Sequence, residues 1–193
     1  MTKKIKMTKS EIRKKYKLLR SYLSVEEIAQ LSIKITDQLQ DLAIWDKSYY
    51  HLFLPIKKFK EVETKYLFHR LQKKNKAVVA SKSNFDLLTM RHFLLNTPAV
   101  ISTNKFGIPE PEGGCELPAE VVEVIFVPLL AFDIHGNRVG YGKGFYDIFL
   151  SQCNPLALKI GLSFFDAELQ IDDVNSNDVR LNFCVTPNQI YKF

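Results

Sequence analysis

The sequence predicts an α/β fold of three layers, a mostly parallel central sheet with helices on both faces, and two observations carry the prediction. Short apolar runs alternate with segments of helical periodicity, an order that builds strand, helix, strand units around one sheet. One of these runs empties into a glycine-rich loop before a helix-like segment, and in such sheets ligands sit there, beyond the C-terminal ends of the strands. No internal repeat, low-complexity linker or domain boundary is visible, so residues 1–193 are expected to form a single domain. Hydrophobic residues make up 46% of the chain and aromatic residues 12%, enough to fill one core.

The first helix is expected over residues 8–22, where Ile12, Tyr16, Leu19 and Leu23 recur at helical spacing. Ser24 with Glu27 three residues later is a capping-box pattern, and it opens a second helix whose apolar stripe is Ile28, Leu31, Ile35, Leu39 and Leu42. Residues 49–54 read as a strand ended by Pro55, residues 64–74 as a helix and residues 77–81 as a short buried strand. Residues 87–95 are a further candidate strand. Residues 96–115, rich in Pro, Gly and Asn, are expected to form a long loop, and loops of that length are often functional. A strand over 122–130, a helix over 145–152 and strands over 157–163 and 183–186 complete the pattern.

The chemistry concentrates in residues 127–147. Gly140, Gly142 and Gly144 alternate with Tyr141, Lys143 and Phe145, and glycine lets main-chain N–H groups approach an anion closely. The segment from Phe145 onward looks like a helix start, whose positive dipole end would face the same anion. The loop is not a P-loop, because Asn137 stands where the first glycine of GxxxxGK belongs and Gly144 follows Lys143 in place of Ser or Thr. It is not GxGxxG either. Glycine spacing alone also fits a plain turn between strand and helix. Arg138, Lys143 and Asp147 favour the anion, since two cations and a carboxylate within ten residues suit a nucleoside triphosphate with its metal.

This run closely resembles the signature loop of the 5-formyltetrahydrofolate cyclo-ligase family, P-x-L-x-F-D-x-x-G-x-R-x-G-x-G-x-G-[FY]-Y-D. Shorter matches are spread along the chain: Lys9-Ser10-Glu11-Ile12-Arg13 with Arg20 beyond, Glu61-Val62-Glu63-Thr64, Ile108-Pro109-Glu110-Pro111, and Asn177-Asp178 followed by Val185-Thr186. One departure is Asn182, where many relatives carry Asp.

The resemblance implies an ATP- and Mg2+-dependent enzyme that closes 5-formyltetrahydrofolate to 5,10-methenyltetrahydrofolate. It also implies roles for individual residues. Arg138 and Lys143 would be the catalytic cations. Lys9, Arg13, Arg138, Val139, Gly140, Tyr141, Gly142, Lys143, Gly144, Phe145 and Tyr146 would contact ATP, Ile56, Glu61, Tyr141 and Phe145 would contact the folate, and Asp147 and Asp178 would ligate magnesium. On residue pattern alone each group has a plainer alternative. Lys9 and Arg13, four apart on the first helix, also read as solvated cations, Asp147 as a helix-start carboxylate, Asp178 as a turn residue, and the aromatics as core.

The formal charge of +6 is concentrated in the first twenty residues, where Lys3, Lys4, Lys6, Lys9, Arg13, Lys14, Lys15, Lys17 and Arg20 fall. A basic nucleic-acid-binding module is therefore the main rival from another class. It calls for aromatics interleaved with the basic surface, whereas here they lie mainly in apolar segments, so no nucleic-acid partner is expected. A folate or nucleotide sensor without turnover is the nearer rival. Three widely spaced cysteines argue against a disulfide framework or zinc site, and the four scattered histidines lack metal-helix spacing. With neither a membrane span nor an export signal in view, a cytoplasmic monomer acting on small molecules is expected.

Overall fold

The computed structural model describes residues 6–95 and 100–193; Lys3, Lys4 and the first four residues of the expected 96–115 loop lie outside them. Four α-helices, α1 (Lys9–Ser21), α2 (Val25–Gln38), α3 (Lys65–Lys73) and α4 (Phe145–Gln152), match the four expected. Capping boxes start the first two. Thr8 caps α1 with Glu11 and Ser24 caps α2 with Glu27, each side chain satisfying an otherwise orphaned N–H.

The strands are β1 (Tyr49–His51), β2 (Ala77–Asn84), β3 (Thr89–Leu94), β4 (Ile101–Thr103), β5 (Pro109–Pro111), β6 (Glu116–Leu117), β7 (Val124–Pro128), β8 (Ala131–Phe132), β9 (Arg138–Val139), β10 (Leu158–Leu162), β11 (Phe183–Val185) and β12 (Ile190–Lys192). Eight form the central sheet in the order β12, β11, β10, β7, β1, β2, β3, β6. The five inner strands from β11 to β2 run parallel, and antiparallel β12, β3 and β6 complete the edges. The sheet is thus mostly parallel, as predicted.

Both faces are covered, which explains why β7 is apolar without a break. Val124 and Phe126 point to one side and pack with Ile28, Ile35, Leu67 and Leu71 of α2 and α3. Ile125 and Val127 point to the other and pack with Phe149 and Leu150 of α4. Each such side chain contributes about 1.5–3 kcal/mol relative to exposure. α1 lies over the β8–β9 hairpin, where Ile12 and Tyr16 meet Leu130, Ala131, Val139 and Ile171.

One expectation is corrected here. The 96–115 segment is not a plain loop, because it contains the β4–β5 hairpin. The Asn104 side chain accepts the Phe106 and Ile108 amides, and Gly107 turns at φ +77, so the polar residues that read as loop signals make a tight turn between short strands. The turn before the glycine run is built on one carboxylate. Asp133, fully buried, accepts the amides of His135, Asn137 and Ile171 and the Asn137 side chain, closing the β8–β9 turn.

Candidate active site

The C-terminal ends of β1, β2 and β7, the start of α1 and the loop before α4 enclose a cleft of about 480 Å³. Lys9, Arg13, Arg138, Gly140, Tyr141, Gly142, Lys143, Gly144, Phe145, Tyr146, Ile56, Glu61, Asp147 and Asp178, drawn from distant parts of the chain, all line it. Val139 does not. The strand alternation that turns Arg138 to the cleft turns Val139 inward, where it is fully buried under α1, so its side chain anchors the loop and is withdrawn from the expected ATP contacts.

One end of the cleft is cationic. Lys9 and Arg13 stand one turn apart on α1, and Arg13 Nε donates to the Gly140 carbonyl at 2.9 Å. Its guanidinium lies against Gly142, where an added Cβ would sit 3.3 Å from Arg13 Cζ. Gly142 (φ +91) and Gly144 (φ +77) need the left-handed region, whereas Gly140 does not. Gly144 is the N-cap of α4 and has no side chain to cap it, so the first α4 amides lack a side-chain cap beside exposed Lys143.

The two acidic candidates close this end. Arg138 Nη2 donates to Asp147 at 2.6 Å, Arg138 Nη1 donates to the Val179 carbonyl, and the Val179 amide donates back to Asp147. Asp178, the residue before Val179, pairs with Lys9 Nζ at 2.5 Å. Burial pulls the Arg138 guanidinium below its usual range, with Asp147 opposing. Among the described residues no group of three or more His, Cys, Asp or Glu gathers as a preformed metal cage. Two carboxylates in the lining of the cationic end are compatible with a magnesium ion, which takes one or two carboxylates and fills its remaining positions with other oxygen ligands and water.

The other end is an apolar chamber. Phe59 stacks on Tyr141 with centroids 4.7 Å apart, and across from them Phe85 packs against Phe106 (4.3 Å) and Phe145 (5.0 Å). Lys58 Nζ donates to the Phe106 carbonyl at 2.6 Å, strapping the β4–β5 hairpin to the 57–59 turn. Glu61 is buried in this chamber and accepts the Ile56 amide at 2.6 Å. Burial raises its pKa, opposed by that amide, the Tyr141 hydroxyl and Arg20.

Several lining residues escaped the sequence reading. Lys17 extends the Lys9, Arg13 row by one more turn and was readable from that spacing. Phe59, Phe85, Phe106, His51 and Ser81 carried no local signal. Arg20, noted only for its match, is 3% exposed and donates to the Leu129 carbonyl at 2.5 Å and the Tyr141 hydroxyl at 3.1 Å, so it fixes Tyr141 from below. Asn182 is not a cleft residue. It joins β10 to β11 by accepting the Lys159 amide at 2.8 Å and donating its own to the Lys159 carbonyl, so the departure there leaves the cleft charges untouched.

A model of the 5-formyltetrahydrofolate cyclo-ligase family matches residues 5–187. The 5-formyltetrahydrofolate cyclo-ligase of Haemophilus influenzae is 36% identical over 110 residues, a match spanning 54% of this chain and 58% of that protein. The one from Mycoplasma genitalium is 29% identical over 159 residues, spanning 81% and 84%. Among solved structures, the Aquifex aeolicus 5,10-methenyltetrahydrofolate synthetase superposes with a TM-score of 0.82 at 32% identity, covering 96% of this chain and 93% of that one.

Proposed function

The chain belongs to the 5-formyltetrahydrofolate cyclo-ligase family and is an enzyme of that kind, and on this premise we propose that it uses ATP and magnesium to convert 5-formyltetrahydrofolate to 5,10-methenyltetrahydrofolate, ADP and phosphate. The observation that carries the reading is the two-part cleft. A cationic glycine loop at one end suits a triphosphate, and an aromatic chamber with a buried carboxylate at the other suits a flat heterocycle rich in N–H groups.

The N5-formyl group is amide-like, so its oxygen must become a better leaving group than hydroxide before the ring can close. Transfer of the γ-phosphoryl group to that oxygen breaks the bond to ADP and makes the formyl carbon electrophilic. The N10 lone pair then attacks this carbon, the carbon–oxygen bond breaks, and phosphate leaves with the proton that N10 gives up. The protein's part is to position and to neutralise charge. Lys143 and Arg138, with the amides from Gly142 to the start of α4, hold the transferring phosphates, and Lys9 and Arg13 close over them from α1. Asp147 and Asp178 would hold magnesium, which supplies charge neutralisation when bound. Glu61 receives N–H donors of the pterin, and the Phe59, Tyr141 and Phe85 rings exclude water. The same reading takes residues 1–193 as one domain acting as a monomer on two small molecules.

The test is a spectrophotometric assay of the methenyl chromophore with purified protein. Signal is expected only when 5-formyltetrahydrofolate, ATP and magnesium are all present, and silence from folded protein would leave a binding protein without turnover as the better account. Lys143→Ala should raise the apparent KM for ATP tenfold or more, since a charge-assisted hydrogen bond contributes about 1.5–3 kcal/mol. An unchanged value would remove the phosphate role of that lysine.

A further inference from the structure

The floor of the apolar chamber holds a polar cluster that the proposed chemistry does not use. Ser81 of β2 stands directly opposite His92 of β3, and His51 of neighbouring β1 pairs with Val79, two residues before Ser81 and on the same face of the sheet. The three side chains form one chain: Ser81 Oγ lies 2.7 Å from His51 Nε2 and 2.9 Å from His92 Nδ1. Both imidazoles are buried and pack on the Phe149 ring, at 4.8 Å from His51 and 4.2 Å from His92. Ser81 is only half-buried. It and His51 form part of the cleft wall.

Counting donors and acceptors decides what Ser81 offers the cleft. Burial holds both rings neutral at ordinary pH, His92 at about 4 and His51 lower than its usual value by desolvation with His92 adding to it. Among the described residues His51 Nδ1 and His92 Nε2 have no hydrogen-bond partner, so the chain can run in either direction. Ser81 gives its one hydrogen to one histidine and accepts from the ring N–H of the other. The remaining lone pair has no partner among the described residues and no hydrogen beside it.

We infer that the His51–Ser81–His92 chain holds Ser81 Oγ as a fixed hydrogen-bond acceptor on the chamber floor, making Ser81 a specificity residue for an N–H group of the substrate and the two histidines its positioning residues. The inference rests on the folate reading given above. A reduced pterin presents amine and amide N–H groups along its edges, whereas a carbonyl turned toward Ser81 would meet a lone pair whose hydrogen is already committed. An ordinary serine could rotate to serve either partner; this one is held from both sides.

The experiment compares wild type, Ser81→Ala and His92→Phe in the methenyl assay, with 5-formyltetrahydrofolate affinity also measured by calorimetry in the absence of ATP. Ser81→Ala should weaken folate binding and raise the folate KM about tenfold, the loss expected for one hydrogen bond, while the KM for ATP stays within twofold. His92→Phe keeps the ring packing on Phe149 but removes the orienting partner, so folate affinity should fall severalfold, again with the ATP value unchanged. Wild-type silence would defeat the proposed function. Wild-type turnover together with folate affinity within twofold of wild type in Ser81→Ala would overturn this inference alone. Equal losses for both substrates would overturn it too, because a general structural defect moves both.

Discussion

Replacing Asp147 by Asn separates the ion pair seen at that carboxylate from the magnesium role proposed for it. Asp147 is the partner of a nearly buried guanidinium: the Arg138 side chain is 6% exposed and that of Asp147 31%, with 2.6 Å between Nη2 and Oδ1. Removing one member of a buried pair typically costs about 3–5 kcal/mol. Here Asn keeps a carbonyl oxygen for Arg138 and for the Val179 amide, and solvent reaches part of the site, so about 2 kcal/mol is the better figure. With a urea slope of about 1–3 kcal/mol per molar, the unfolding midpoint should drop by roughly 1 M. Arg138→Met and the double variant complete a cycle, whose coupling energy should also be about 2 kcal/mol in protein free of ATP and magnesium. A coupling below about 0.5 kcal/mol would refute the reasoning, because the pair would then be as weak as one on an open surface. The folded Asp147→Asn protein should in addition need more magnesium for half-maximal activity. A magnesium titration identical to wild type would leave Asp147 a structural residue only.

Three further outcomes are expected. Gly142→Ala places a side chain at φ +91 against Arg13, which should cost about 1–2 kcal/mol and weaken ATP use severalfold; wild-type melting and ATP KM would show that the loop does not depend on that angle. In Gly161→Ala the new Cβ would stand 2.6 Å from Leu129 Cδ2 and 2.8 Å from Leu181 Cδ1, an overpacking of about 1–3 kcal/mol that thermal unfolding should register as a clear fall in Tm, and no fall would mean that Leu129 repacks freely. Stability should also fall as pH drops from about 6.5 to 4. Burial holds folded His92 at about 4, so in that window the unfolded chain takes up a proton that the folded chain refuses; the contribution is whole above pH 6.5 and lost on the way down. Glu116 and Glu120 oppose the depression of His92, and His51 lies beside it in the same sense. Urea titrations should show a shallower fall for His92→Phe, and equal slopes would mean that other groups set the acid response.

Much of the fold was legible because its signals are local. The capping box at Ser24, unbroken apolar runs such as β7 and the helical stripe of α2 each report one element through its neighbours in sequence. The elements that escaped, β6, β12 and the β4–β5 and β8–β9 hairpins, are two or three residues long, too short to carry a period. The glycine loop was legible for the same reason as the helices, since left-handed angles at Gly142 and Gly144 are a demand of the backbone itself.

By itself the sequence determined the layered α/β architecture, the family resemblance and the position of the glycine-rich loop after the central strand. Tertiary structure decided what each charge does there. Nothing local in the chain couples Lys9 to Asp178 or Arg20 to Tyr141, and the separations of 169 residues between Lys9 and Asp178 and 121 between Arg20 and Tyr141 make the point plainly. The chamber wall of Phe59, Phe85 and Phe106 and the His51–Ser81–His92 chain likewise exist only where strands and hairpins lie side by side. The physical reason is that backbone preference and amphipathic period act over a few residues, whereas burial, ion pairing and the direction of a hydroxyl depend on which distant segments the folded sheet brings within a few ångströms.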